Sequence, residues 1–370
     1  MTQSIVVVVP TFFPLGPLFQ FLQVVPFVAE AGFDLHVTSC RNESIEALID
    51  RFPQITFHVP IGGQPAPNRN AILASVIADV RPVFAHNWMA GPRIGRWLTK
   101  NSVAWLDTSL DPRWWQTKKS PIHWHGGKPV GTVAFAGPDS IDSCQQTLRD
   151  STERWSLHRS VHPSVIDRLA IRQLAADLWG IPLERRMIVA AAPLVPATRH
   201  KDLIWALDLL NCIRDDLHLL ILGDGSQRQR LLKFAESTAA RNRVTFGANH
   251  QRVLDLIACA DVYWHGHLGQ WEPDGLLWAM AHGVPVVSAW GPATQGIVRY
   301  QQTGLGVELG RRDQFARWTK YILEQEESAQ RMVAQGRQWV SDVYNPQDAA
   351  NELVEVYRSV VEAIQKSTRV

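Results

Sequence analysis

Between a short apolar run and a helix-forming stretch, residues 193–206 read PLVPATRHKDLIWA. Arg199, His200 and Lys201 thus stand at a strand-to-helix junction. A diphosphate carries two or more negative charges and is held by cations, backbone N–H groups and the positive end of a helix, all of which such a junction offers. Solvated charges at a helix start give the same pattern, so both readings stand. Farther on, residues 272–283 read EPDGLLWAMAHG. Glu272 and Asp274 precede a helix in which Gly275 leaves room for a ligand against the backbone from Asp274 to Leu276. Both acids serve equally as helix caps. Trp278, inside this apolar helix, reads as core in preference to a face that stacks on a ribose or base.

Asp107 ends the strand-like VAWLD and His86 lies in VFAHNW. The carboxyl end of a strand is a position from which a side chain orients or deprotonates a hydroxyl. A capping aspartate and a satisfied buried histidine are the alternatives. Residues 111–128, DPRWWQTKKSPIHWHGGK, gather Trp114, Trp115 and Trp124 with several cations. Tryptophan faces stack on sugar rings, which makes this an acceptor loop, and Trp with Arg also anchors protein interfaces. The pairs His123/His125 and His265/His267 have the alternate spacing of ligands on a strand. No carboxylate or cysteine completes either set by local spacing, so no metal is expected.

These residues need a scaffold, and the chain supplies the same one twice. Apolar runs of four to six residues alternate with amphipathic stretches, the pattern of a parallel α/β sheet. In the first half IVVVV, DLHVTS, ITFHV, PVFAH, VAWLD and GTVAFA read as strands, and FQFLQVVPFVAEAG as a helix closed by glycine and bent by Pro26. After the polar segment STERWSLHRSVHPS the pattern restarts with MIVAAAP, LHLLILGDG, RVTFG, DVYWH and VPVVSA. Gly223 and Gly225 of LGDG read as a tight turn. The predicted domains are residues 1–165 and 166–345, followed by a helix over 346–370 whose apolar stripe of Leu353, Val354, Tyr357, Val360, Val361 and Ile364 packs back across the domains. Two doubly wound domains facing a central cleft place ligands at the strand carboxyl ends.

Composition narrows the partners. At 370 residues with 46% hydrophobic and 19% charged, the chain is globular, and a net charge of +2 with no basic run demands no nucleic acid. Four scattered cysteines with no CxxC pair fit a reducing compartment. The apolar start is cut by prolines and reads as a strand and turn, not as a targeting segment. The expected location is cytoplasmic, with peripheral contact at the inner face of a membrane left open.

Several phrases of the second half, in order, resemble the donor domain of retaining glycosyltransferase family 4, a GT-B fold. They are PLVPATRHKDLIWAL, LHLLILGDGSQRQRLL, RVTFG with VLDLIACADVYWH, AMAHGVPVV, and GIVRYQQTGLGVELGRRDQFARWTKYIL. The first half is similar through VVVPTFFPLGPLFQFLQVVPFVAEAGFDLHVTS and PVFAHNWMAG. The resemblance implies that Gly16 belongs to a glycine loop beside the donor phosphates. Ungapped alignment puts Pro193 and Thr198 at the family's Arg and Lys, leaving Arg199 and Lys201 as neighbours that reach instead. It puts Gln270 and Trp278 at the family's paired glutamates, and a two-residue deletion would give the first role to Glu272. Thr108 aligns with the family's catalytic-side histidine, with Asp107 adjacent.

The implied activity is transfer of a hexose, with retention, from a nucleotide diphosphate sugar to an acceptor hydroxyl. The acceptor is a glycan, a lipid-linked group or a protein, and neither cofactor nor metal is required. In that reading Arg199, Lys201, Glu272, Asp274, Gly275, Leu276 and Gly16 hold the donor. Asp107 and His86 act on the acceptor that Trp114, Trp115 and Trp124 bind. The alternative is a catalytically inactive GT-B scaffold that binds glycan or supports a partner glycosyltransferase.

Overall fold

The computed structural model describes residues 3–39, 45–59, 69–109, 129–136, 153–267, 273–291 and 294–368. The chain divides into two units, Met1–Ser160 with Tyr344–Val370, and Val161–Val343.

The first unit is built on seven strands: β1 Gln3–Val9, β2 Phe33–Ser39, β3 Ile55–His58, β4 Phe84–Trp88, β5 Trp105–Ser109, β6 Gly131–Ala136 and β7 Glu153–His158. They lie in the order β3-β2-β1-β4-β5-β6-β7, and every neighbouring pair is parallel. The valine run of β1 is buried from Ile5 to Val9 because the strand is covered on both faces. Alternation then divides it. Ile5, Val7 and Val9 join a core with Phe21 and Leu22 of α1 (Pro17–Glu30) and with Leu353, Tyr357 and Val360 of the last helix, Pro346–Thr368. Val6 and Val8 join Leu73 and Val76 of α3 (Arg69–Val80) and Ile94 and Leu98 of α4 (Pro92–Lys100), with α2 the short helix Glu46–Arg51. Helix α1 starts earlier than its apolar pattern because Pro17 is preset for the first helical turn. The last helix, expected as a segment of its own, is a layer of the first unit's core.

The second unit repeats the design with β8 Arg186–Ala191, β9 Leu217–Leu222, β10 Val244–Phe246, β11 Val262–His265, β12 Val286–Ala289 and β13 Leu305–Val307. The order is β10-β9-β8-β11-β12-β13, again parallel, with the crossover next to the first strand that marks a dinucleotide-type sheet. Its helices are α5 Arg168–Trp179, α6 His200–Leu210, α7 Arg228–Glu236, α8 Val253–Ala258, α9 Asp274–Ala281, α10 Asp313–Glu324 and α11 Glu326–Val343. Asp167 caps α5 by accepting from the Ala170 N–H, and Gly180 closes it in a left-handed conformation. Two strands escape the hydrophobic pattern: β7 is a polar edge strand, and β13 is three residues long. Among the described residues no helix is long and apolar enough to cross a membrane.

Candidate functional site

In the second unit, the loops leaving three neighbouring strands are tied together at the carboxyl edge of the sheet. After β8, the Ala192 N–H donates to Leu222 O and the Leu194 N–H to Asp224 O, at 3.0 and 2.9 Å. The Gln227 N–H returns to Leu194 O at 2.9 Å. This approach is why LGDG needs its glycines: a Cβ on Gly223 would lie 2.1 Å from Ala192 O, and one on Gly225 2.6 Å from Leu194 O. Both also have positive φ, a conformation that L side chains resist. The exit of β11 joins them, since a Cβ on Gly266 would lie 2.7 Å from Thr198 O.

The sequence-predicted cations sit on this edge, and both are engaged. Arg199 adopts a left-handed φ of 54° as the residue before α6. Its guanidinium turns to Asp202, with Nε 2.7 Å from Oδ2. Lys201 is exposed and its Nζ lies 4.8 Å above the ring of Phe234 on α7. Thr198, which stands where a lysine was expected, is buried and donates its hydroxyl to Pro193 O and Val195 O. With that proton committed, the hydroxyl accepts from Nδ1–H of His200 at 2.9 Å.

Next to this loop, His265 and His267 leave β11 with ring centroids 6.3 Å apart, and both are buried. His265 Nε2 is buried without a hydrogen-bond partner among the described residues. Burial holds the His200 ring at a pKa of about 4, helped by His267, and the His265 ring at about 3, helped by His267 and His200. Among the described residues no group of three or more His, Cys, Asp or Glu is arranged to hold a metal ion.

Asp274 opens α9 and is buried, close enough that its charge is felt by Tyr263. Gly275 has a different neighbour from the one expected. A Cβ there would lie 2.3 Å from the hydroxyl of Tyr263, which donates to Ala191 O, so this glycine makes room for a core side chain. Leu276 is fully buried. Trp278 is core as expected, donating its indole N–H to Leu254 O at 2.7 Å and stacking on His282 at 4.1 Å. Glu272 and the neighbouring Gln270 lie outside the described residues.

In the first unit, Gly16 caps α1 with a φ of 74° and accepts from the Phe19 N–H. His86 is enclosed: Nδ1 lies 2.9 Å from the hydroxyl of Tyr357 and Nε2 2.6 Å from Thr108 Oγ1. Burial lowers its pKa to about 3, so a neutral ring joins β4, β5 and the last helix. This geometry gives His86 no ring nitrogen to spare for an acceptor. Asp107 differs. It accepts a hydrogen bond from the Asn87 side chain at 2.6 Å, yet burial pushes its pKa up to about 7 against that bond. Asn87 Oδ1 is buried with no partner among the described residues. Asn87 was not singled out by its sequence; an amide inside the apolar strand FAHNW is the signal that would have found it. Trp114, Trp115, Trp124 and the pair His123/His125 lie outside the described residues.

Comparison with known proteins bears on the second unit first. Residues 174–339 match the family model for glycosyl transferases group 1. A lipopolysaccharide core biosynthesis glycosyltransferase of Rhizobium meliloti, LpsE, is 30% identical over 124 residues, 33% of this chain and 36% of that protein. A GDP-mannose-dependent phosphatidylinositol monomannoside mannosyltransferase of Mycobacterium tuberculosis is 28% identical over 184 residues, 47% of this chain and 48% of that protein. The chain thus spans between 36% and 58% of the length of the curated relatives it matches. Among solved structures, Anabaena HepE in complex with UDP and glucose superposes with a TM-score of 0.69 at 14% identity, over 96% of this chain and 100% of that one. The lipopolysaccharide glycosyltransferase WaaG gives 0.64 at 15% identity, over 95% and 99%. The fold is therefore that of the GT-B glycosyltransferases.

Proposed function

We propose that the chain is a retaining glycosyltransferase that moves a hexose from a nucleotide diphosphate sugar to an acceptor hydroxyl. The observation that carries this reading is the convergence of the β8, β9 and β11 exits on the start of α6, inside the segment that matches the family model. Such an edge offers backbone N–H groups and a helix dipole to a diphosphate whose charge grows as the glycosidic bond breaks. Arg199 and Lys201 are the cations within reach of that edge, with Asp274 at the start of α9 facing the sugar. HepE, which has this fold, is described in complex with UDP and glucose, and a nucleotide sugar is the donor class we assign here. In the first unit, Asp107 is the acceptor-side group. With a pKa of about 7 it exchanges a proton near neutrality, whereas His86 positions Thr108 and the last helix.

A second reading, a GT-B scaffold without transfer activity, is favoured by one observation: Arg199 is paired with Asp202 and Lys201 lies over Phe234. Thermal unfolding with UDP-, GDP- and ADP-sugars separates the two. A donor at a hundred times its Kd stabilises by about 2.7 kcal/mol. No shift with any of these sugars sinks the transferase reading.

A further inference from the structure

Strand register in the first unit lays a polar row across the sheet. Val8 of β1 has Thr38 beside it on β2 and Asn87 on β4, Asn87 has Asp107 on β5, and Asp107 has Thr132 on β6. Side chains at one register level point to one face, here the face on which Val8 meets α3 and α4. Thr38, Asn87, Asp107 and Thr132 are all buried. Asp107 thus has an amide beside it on one strand and a hydroxyl on the other.

These two neighbours are engaged differently. Asn87 Nδ2 stands between two oxygens, Gly91 O at 3.2 Å and Asp107 Oδ1 at 2.6 Å, which fixes the amide as a donor to the carboxyl. Thr132 Oγ1 is buried and makes no hydrogen bond among the described residues. A buried hydroxyl in that state is costly, and adjacent strands about 4.8 Å apart leave the carboxyl within reach of a turn of its side chain. Burial raises the Asp107 pKa to about 7 against the Asn87 bond, so this carboxyl changes charge near neutrality and needs donors once it is ionised. On α4, which packs on β5, Arg93, Arg96 and Lys100 are exposed. His86 of β4 is on the opposite face, bonded to Thr108 and Tyr357.

We propose that Thr132 is a positioning residue for Asp107: when the carboxyl proton leaves, the Thr132 hydroxyl turns to the carboxylate, and Asn87 and Thr132 hold the ionised group from both sides. In the protonated state the Asn87 bond alone orients it. The bearing on transfer rests on the acceptor-side reading of Asp107 above, whereas the turn of the hydroxyl does not. Bonds to an ionised acceptor are the stronger kind, so each donor lowers the pH at which the proton leaves. Thr38 is the natural control, a buried threonine in the same row whose Oγ1 also makes no bond among the described residues, with β1 between it and Asn87.

NMR of the full chain, with labelled threonine methyl and aspartate carboxyl groups and followed from pH 5 to pH 9, tests this. The Asp107 carboxyl, assigned by its loss in Asp107→Asn, should titrate at about pH 7. The Thr132 methyl should shift with the same midpoint and lose that response in Asp107→Asn, while the Thr38 methyl should not follow it. Thr132→Val should raise the carboxyl midpoint by about one pH unit, Thr132→Ser should restore it, and Thr38→Val should leave it in place. An Asp107 midpoint that Thr132→Val leaves unmoved overturns the proposal. A Thr132 methyl that ignores pH in the unmodified chain overturns it too, even where the valine variant does not fold. Neither result touches the transferase reading, because no sugar nucleotide enters the measurement; that reading fails separately, on the absence of donor binding.

Discussion

The Asn87 amide on β4 donates to the Asp107 carboxyl on β5 across 2.6 Å, yet burial leaves that carboxyl half protonated at neutral pH. The two residues are register partners on adjacent strands, so the bond is fixed by the sheet and not by a loop. A carboxyl with a pKa of about 7 binds its proton more strongly folded than unfolded. Its stabilising contribution is complete below the unfolded pKa of about 4 and is lost as pH rises through the folded value. Asp107→Asn should therefore raise stability at pH 8 by roughly 2–4 kcal/mol relative to its effect at pH 4, while reducing transfer activity. Denaturant unfolding at both pH values checks the first part. An equal effect at the two pH values refutes it.

Asp202 pairs with Arg199 through Nε and Nη2, at 2.7 and 2.6 Å. Asp202→Asn should release the guanidinium and tighten nucleotide sugar binding. Arg199→Ala should change affinity little in the parent chain, where the pair is closed, but cancel the gain in the Asp202→Asn background. A hydrogen bond to a charged group is worth about 1.5–3 kcal/mol, so the gain amounts to ten- to a hundredfold in Kd by calorimetry.

Gly275 and Tyr263 form a tight fit that a methyl group would spoil. Gly275→Ala places Cβ 2.3 Å from the tyrosine hydroxyl and should cost about 1–3 kcal/mol in urea unfolding. Combining it with Tyr263→Phe should recover part of that loss. Additive losses in the double variant would mean that the two side chains do not meet.

Tyr357 supplies the partner of His86 Nδ1 from the last helix. Tyr357→Phe should destabilise the first unit by about 1–3 kcal/mol, because a buried ring nitrogen loses its only described partner. The unfolding midpoint of the second unit, followed by amide exchange on β8 and β9, should stay where it is.

Much of this was legible in the residues. Apolar runs bounded by turn residues located most of the strands, and the indole of Trp278 in an all-apolar helix read correctly as core. The glycines of LGDG read as a turn, and their cause is carbonyl oxygens of the preceding loop. What escaped depends on partners distant in sequence. The polar strand β7 finds its place only by pairing with β6. Gly275 looks like an opening for a ligand until Tyr263 is seen to fill it. His86 carries both a catalytic and a satisfied-core reading in the sequence, and only the hydroxyls of Thr108 and Tyr357, distant in sequence, show what satisfies it. Arg199 is the exception, since the carboxylate three residues later that pairs with it is visible in RHKD.

The burial of Leu353, Tyr357 and Val360 against β1 and α1 has a consequence for the order in which the two units close. The β1 face that α1 shares is completed only by Pro346–Thr368, which follow the whole of Val161–Val343 in the sequence. Sequence order and completion order are thus inverted: the unit that comes first along this sequence closes its core after the unit that follows it.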